Sequence, residues 1–128
     1  MEAQGLELSE VLEVQKNFDR QVGWNRYERC DTPEEIVAFM EHLTLAIVDE
    51  LGEISRVRKK FLRDGLNLDT ATLRKEFVDL FIFVMQGSMA LKMNLEEEYN
   101  QRMRHNELRF IRKEKEAALN QSSKNVTR

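Results

Sequence analysis

The sequence predicts an all-α fold: a four-helix bundle subunit of one domain, with a core completed by dimerisation. Apolar residues recur at helical spacing along most of the chain, and no alternating strand pattern is present. Charged residues make up 34% of the 128 residues, with one proline and five glycines, a composition typical of helical proteins with few loops. We expect the domain to span 1–118 and a flexible C-terminal tail to span 119–128.

The first two helices are predicted from periodicity and from a helix-start signal. Apolar residues place the first helix at about 9–21, and the aperiodic residues 23–31 are predicted to form a loop. Thr32 as N-cap, followed by Pro33 and a glutamate in the capping-box position, begins the second helix. This helix should continue to about residue 63 and end at Gly65.

The third and fourth helices begin at polar caps. Asp69 or Thr70 caps a third helix that runs to about residue 92, and Asn94 caps a fourth that runs to about residue 118. The third helix is apolar on every side over 77–85, so it must be covered on every side. One small subunit can hardly supply that cover, and we therefore expect a homodimer or a tetramer.

Two acidic pairs carry most of the functional information: Glu50 with Glu53, and Glu76 with Asp79. The i,i+3 spacing stacks each pair on one helix face about 5–6 Å apart. Solvated surface acids are the simplest explanation of either pair alone. However, Glu50 falls in the middle of the apolar stripe of its helix, and Asp79 is the one charge within 77–85. Repulsion costs about 3 kcal/mol per close pair at an effective dielectric near 20, so divalent cations between the acids would explain the arrangement.

The residue types around these acids favour a hard cation. Oxygen ligands without histidine or cysteine indicate Mg²⁺, with Mn²⁺ as a possible substitute, over zinc. A di-iron site would want a Glu-x-x-His pattern, which neither His42 nor His105 supplies. Magnesium held by a few carboxylates commonly binds the phosphates of a substrate as well.

Other features limit the location and partners of the protein. A net charge of −3 argues against a dedicated nucleic-acid binder. The longest apolar run, 77–93, is too short and too interrupted by polar residues to suit a membrane span. The chain starts without the pattern of a signal peptide, and its single cysteine, Cys30, fits a reducing compartment. We expect a cytoplasmic protein.

With Glu-x-x-Glu, a spacer and Glu-x-x-Asp in helical sequence, the chain resembles the MazG-like all-α nucleoside triphosphate pyrophosphatases. The similar segments are 45–54, 75–82 and 102–110, and the resemblance covers about 32–110. It implies Mg²⁺-dependent hydrolysis of an NTP or dNTP to the monophosphate and pyrophosphate, in the manner of enzymes that remove unwanted nucleotides from the pool.

The resemblance also implies roles for individual residues. The magnesium ligands would be Glu50, Glu53, Glu76 and Asp79. The general base would be Glu50, Glu53 or Asp49. The candidates for binding phosphates or the nucleobase carry donors or rings; they are Arg102, Asn106, Arg109, Lys59, Trp24 and His42. A solvated basic face is the alternative for the cations and the amide, and packing is the alternative for Trp24 and His42.

Two other functions remain open. A non-catalytic helical dimer could bind nucleotides or a partner protein, but it would tolerate the loss of an acid, whereas all four are present. A phosphoribosyl-ATP pyrophosphohydrolase is a lesser alternative, since such chains are usually shorter and lack an N-terminal extension with an aromatic loop. The sequence leaves the base, the sugar, the oligomer size, the number of metal ions and the identity of the general base undecided.

Overall fold

A computed structural model describes residues 5–65 and 67–126. Parts of the expected domain (1–4 and 66) and of the expected tail (127–128) lie outside the described residues. The all-α class is confirmed, since every regular element in the described ranges is helical. The elements are α1 (Leu8–Val22), a short 3₁₀ helix (Arg26–Arg29), α2 (Pro33–Asp64), α3 (Thr70–Ala90), α4 (Leu95–Asn106), a π-helical segment (Glu107–Arg112) and α5 (Lys113–Val126).

The helix ends follow the capping signals of the sequence. The Thr32 hydroxyl accepts a hydrogen bond from the Glu35 N–H at 3.2 Å, and α2 ends where Gly65 takes a left-handed conformation with φ 63°. The side chains of Asp69 and Asn94 each accept a hydrogen bond from the backbone N–H three residues later, at 3.0 and 3.1 Å. These caps satisfy N–H groups that have no partner within the helix.

The segment predicted as a loop, 23–31, contains the short 3₁₀ helix. Its three-residue turn places Tyr27 and Cys30 on the same side, and both side chains are buried. The segment is therefore part of the core of the chain up to Met93. That core is completed by Phe39, Leu43 and Ala90.

Two glycines on the long helices have different surroundings. A Cβ atom added at Gly87 of α3 would lie 2.9 Å from Cδ2 of Leu43, so the missing side chain lets α3 approach α2 closely. A Cβ atom at Gly52 of α2 would meet no heavy atom within 4 Å. Close packing within the described chain therefore does not explain Gly52.

The chain divides into two compact units, one up to Met93 and one from Asn94 onward. The second unit consists of α4, the π-helical segment and α5 in succession. Helix continues to Val126, past the predicted end near residue 118, and no proline or glycine within 113–126 interrupts it. Every described side chain of α5 is exposed, and the flexibility of the tail stays a prediction. Within the described residues, none of the individual helices combines the length and the hydrophobicity that a membrane span requires.

Candidate functional site

Three carboxylates meet where α2 packs against α3. One oxygen from each of Glu50, Glu76 and Asp79 lies within 4.8 Å of the other two. Glu76 is 4% exposed, and the other two side chains are half-buried. The i,i+3 spacing puts Glu76 and Asp79 on one face of α3, and Glu50 reaches them from the apolar stripe of α2. We call these three residues the acid cluster.

The acid cluster is electrostatically unfavourable by itself. Oε2 of Glu50 is buried and has no hydrogen-bond partner. The pKa of Glu50 is raised from 4.5 to about 7, first by hydrogen bonding to the carboxyl of Glu76, then by burial and by the negative charges of Glu76 and Asp79. The nearby cation is Lys75, whose Nζ lies 3.5 Å from Oε1 of Glu76 on a largely exposed side chain. An exposed lysine compensates little of this repulsion.

The acid cluster fits a divalent cation. All its donors are carboxylate oxygens, the set that Mg²⁺ and Mn²⁺ prefer. The buried Oε2 of Glu50 lacks a partner that a cation would supply. A bound cation would also replace the proton that the raised pKa of Glu50 favours.

The other acidic candidates on α2 lie outside the acid cluster. Glu53 forms an ion pair with Arg56, with 3.0 Å between Oε1 and the guanidinium, and its side chain is 41% exposed. The three-residue step rotates Glu53 to the edge of the stripe that carries Glu50, and its carboxylate is not among the three that meet. Asp49 is exposed, as is Lys59 farther along α2. The roles of Glu53, Asp49 and Lys59 stay predictions.

Trp24 and His42, the two predicted base-binding residues, line the same pocket. Its volume is about 520 Å³. The other lining residues are Gly23, Arg26, Phe39, Ala46, Phe83 and Gln86. The Trp24 ring packs edge-on against Phe18, with 5.8 Å between centroids. We call this cavity the aromatic pocket.

The aromatic pocket adjoins the acid cluster. Ala46 precedes Glu50 by one turn on α2, and Phe83 follows Asp79 by one turn on α3. One helical turn advances about 5.4 Å, so on each helix a residue that lines the pocket lies about that distance along the axis from a carboxylate of the acid cluster. A ligand with a flat ring and an anionic tail could therefore occupy both places.

A buried polar network lies behind the aromatic pocket, and sequence reasoning missed it. Asp19 of α1 is fully buried and accepts hydrogen bonds from Gln15 Nε2 at 2.8 Å, Tyr27 OH at 2.9 Å and Gln86 Nε2 at 3.2 Å. Burial, followed by the bond to Asp19, raises the pKa of Tyr27, so the phenol keeps its proton and donates it. Asp19 lies seven residues after Leu12, on the apolar stripe of α1. The criterion that identified Glu50 would have identified Asp19 too.

The candidates on the second unit are less closely grouped. Asn106 lines a groove of about 570 Å³, whereas Arg102 and Arg109 are not among its lining residues. The Arg109 guanidinium lies 5.0 Å from the centroid of the Phe110 ring. The π-helical segment begins directly after Asn106, so its wider turns separate Arg109 from the regular α-helical face that the sequence predicts.

The sequence model of a protein family described as dUTPase matches residues 7–127. This family is of the all-α MazG-like nucleotide pyrophosphohydrolase type, in agreement with the resemblance seen in the acidic motifs. The match spans both units and points to hydrolysis of a nucleoside triphosphate as the general kind of reaction. No curated protein and no solved structure matches the chain.

Proposed function

The chain belongs to the dUTPase family, and from this premise we propose that it is a Mg²⁺-dependent nucleoside triphosphate pyrophosphohydrolase. The proposed substrate is a dNTP or NTP, with dUTP as the first candidate because of the family's name, and the products are the monophosphate and pyrophosphate. The observation that carries this proposal is the acid cluster with its unpartnered Glu50 oxygen, one helical turn from the aromatic pocket. The proposed role is removal of unwanted nucleotides from the pool.

Glu50, Glu76 and Asp79 would hold the metal. When bound, Mg²⁺ or its substitute Mn²⁺ supplies positive charge next to the phosphate oxygens while the α–β bond breaks. On binding the metal, the acid cluster would release the proton that the raised pKa of Glu50 favours. The three carboxylates would thereby place the phosphate groups of the substrate between α2 and α3.

Glu53 and Asp49 are the candidates for the general base. Neither carboxylate belongs to the acid cluster, and both are on the same stretch of α2 as Glu50. A carboxylate that is partly open to solvent can orient a water and take its proton. The water oxygen then bonds to the α-phosphorus as the bond to the bridging oxygen breaks, and pyrophosphate leaves.

The aromatic pocket would hold the base. The exposed face of Trp24 would stack on the ring, and the His42 imidazole would donate or accept a hydrogen bond. Lys59, Arg102, Asn106 and Arg109 remain the candidates for binding the phosphates, because cationic and amide N–H groups form strong bonds to phosphate oxygens.

We also propose that a second copy of the chain covers part of α3. Phe77, Phe81 and Val84 follow one another at i, i+4 and i+7, and they are 62%, 41% and 49% exposed in the single chain. An apolar stripe of this kind typically marks a protein interface. Sedimentation equilibrium should give a homodimer or tetramer, and Phe81→Glu should shift it toward monomer; a monomeric wild-type protein would refute this part of the proposal.

Pyrophosphate release from a panel of dNTPs and NTPs, with Mg²⁺ and with EDTA, tests the enzymatic proposal. We expect release to require the metal, to be lost in Asp79→Asn, and to fall strongly in Glu53→Gln. Glu41→Gln, which changes an exposed acid of α2, is the matched control and should retain activity. Unchanged turnover by Asp79→Asn would refute the assigned site. Nucleotide binding without turnover by the wild-type protein would favour the non-catalytic module.

A further inference from the structure

Gln86 lines the aromatic pocket, and the buried Asp19 fixes the orientation of its side-chain amide. Its Nε2 donates to Oδ2 of Asp19 at 3.2 Å. The same Oδ2 accepts from the Tyr27 hydroxyl and Oδ1 accepts from Gln15, so Asp19 acts as an acceptor on every side. An amide flipped by 180° would set its carbonyl oxygen against this carboxylate, and electrostatic repulsion excludes that arrangement.

The fixed amide leaves the carbonyl oxygen of Gln86 unused. Gln86 is 7% exposed and lines the aromatic pocket. Its Oε1 accepts no hydrogen bond from any described residue and, unlike Oε2 of Glu50, it retains some solvent access. A nearly buried acceptor without a partner, on a residue that lines a pocket, offers a hydrogen-bonding position to a ligand in that pocket.

We propose that Gln86, held by Asp19, reads the Watson–Crick edge of the nucleobase by accepting a hydrogen bond from a ring N–H. This proposal rests on the proposed function in taking the ligand of the aromatic pocket to be a nucleotide. The ring N–H is present in the keto bases (uracil, thymine and guanine), whereas cytosine and adenine carry a lone pair at the corresponding ring nitrogen. Arg26 lines the same pocket and has donors only, which suits the carbonyl oxygen beside that N–H.

Binding of deoxynucleoside monophosphates tests the proposal without depending on turnover. The dissociation constants of dUMP and dCMP, and of dGMP and dAMP, would be measured by calorimetry on the full chain with Mg²⁺. We expect the wild-type protein to bind the keto member of each pair at least about tenfold more tightly, the usual size of one hydrogen bond together with an unsatisfied partner.

Two variants that remove a donor from the same Asp19 oxygen separate reading of the base from support of the fold. Gln86→Met should reduce the keto preference to less than about threefold. Tyr27→Phe is the matched control, because it removes the other bond to Oδ2 at a residue that does not line the pocket. It should lower stability but retain the preference. Asp19→Asn, which offers an N–H to Gln86 and allows its amide to turn, should lower or reverse the preference.

The outcomes distinguish this proposal from the proposed function. A wild-type protein without keto preference, no binding of any monophosphate at millimolar concentration, an unchanged ratio in Gln86→Met, or an equal loss in Tyr27→Phe would overturn the role of Gln86. Turnover of dNTPs without base preference would leave the enzymatic proposal standing and refute this one. If the protein binds keto bases with a preference that depends on Gln86 but hydrolyses no nucleotide, the role of Gln86 stands and the enzymatic proposal is refuted. If Asp19→Asn does not fold, the other two variants decide.

Discussion

Replacing Glu50 by glutamine should stabilise the metal-free protein and abolish its response to magnesium. Glutamine keeps the size of the side chain and removes the charge that repels Glu76 and Asp79. We therefore expect Glu50 to lower the stability of the metal-free protein while being required for metal binding, a combination that is common at functional sites.

The pKa of Glu50 gives the magnitude and the pH range. In the folded protein it is raised from 4.5 to about 7. The folded state therefore holds this proton more tightly than the unfolded state, and stability falls as pH rises from about 4.5 to about 7. At 1.4 kcal/mol per pKa unit the full shift would amount to about 3 kcal/mol, and the partial solvent access of Glu50 reduces our expectation to about 1–2 kcal/mol.

Urea denaturation in EDTA at pH 5 and pH 8 measures this effect. Glu50→Gln should match the wild-type protein at pH 5 and exceed it by about 1–2 kcal/mol at pH 8. Glu53→Gln is the matched control, since Glu53 is one turn away on α2 and outside the acid cluster; it should show no gain that depends on pH.

We expect magnesium to reverse the order of stability of the two proteins. At a metal concentration of about 100 times the dissociation constant, binding to the folded state alone should stabilise the wild-type protein by about 2.7 kcal/mol. Glu50→Gln should gain little, because the carboxylate with the unpartnered oxygen is gone. A Glu50→Gln protein that is less stable than wild type at pH 8 in EDTA, or a Glu53→Gln protein with the same gain, would refute the reasoning.

Three other positions give simpler tests. Gly52→Ala should raise the free energy of unfolding by up to about 1 kcal/mol in urea denaturation, because alanine favours the helix and the added Cβ meets open space; a loss would indicate a second subunit at this surface. Thr32→Ala should lower that free energy by about 1 kcal/mol through loss of the α2 cap, and Thr32→Ser should restore it. Burial raises the pKa of the Cys30 thiol, so iodoacetamide at pH 8 should label the native protein much more slowly than the protein in urea. Equal labelling rates would contradict the burial of Cys30.

Most of the helices and the meeting of three acids in the candidate site could be predicted, because both leave local signals. Thr32, Asp69 and Asn94 form the caps that the sequence indicates, since a cap requires a particular side chain within three residues of the N–H it bonds. The position of Glu50 on an apolar stripe predicted a buried acid, and the structure places it against Glu76 and Asp79.

Other parts of the site could not be read from local patterns. The i,i+3 spacing groups Glu53 with Glu50, yet only Glu50 of this pair joins the acid cluster, because the two side chains differ by about 60° in direction around the helix. The predicted regular face of Arg102, Asn106 and Arg109 is interrupted by the π-helical segment, which has no evident signal in the sequence.

The sequence by itself determined most of the helical segments, where α2, α3 and α4 begin, and that Glu50 lies on an apolar face. Only the tertiary structure decided which faces meet. Asp19 and Gln86 are separated by 67 positions, and their hydrogen bond exists because α1 and α3 come together around Tyr27. Periodicity describes one helix at a time, whereas the aromatic pocket and the network behind it depend on how closely helices approach, as at Gly87 and Leu43.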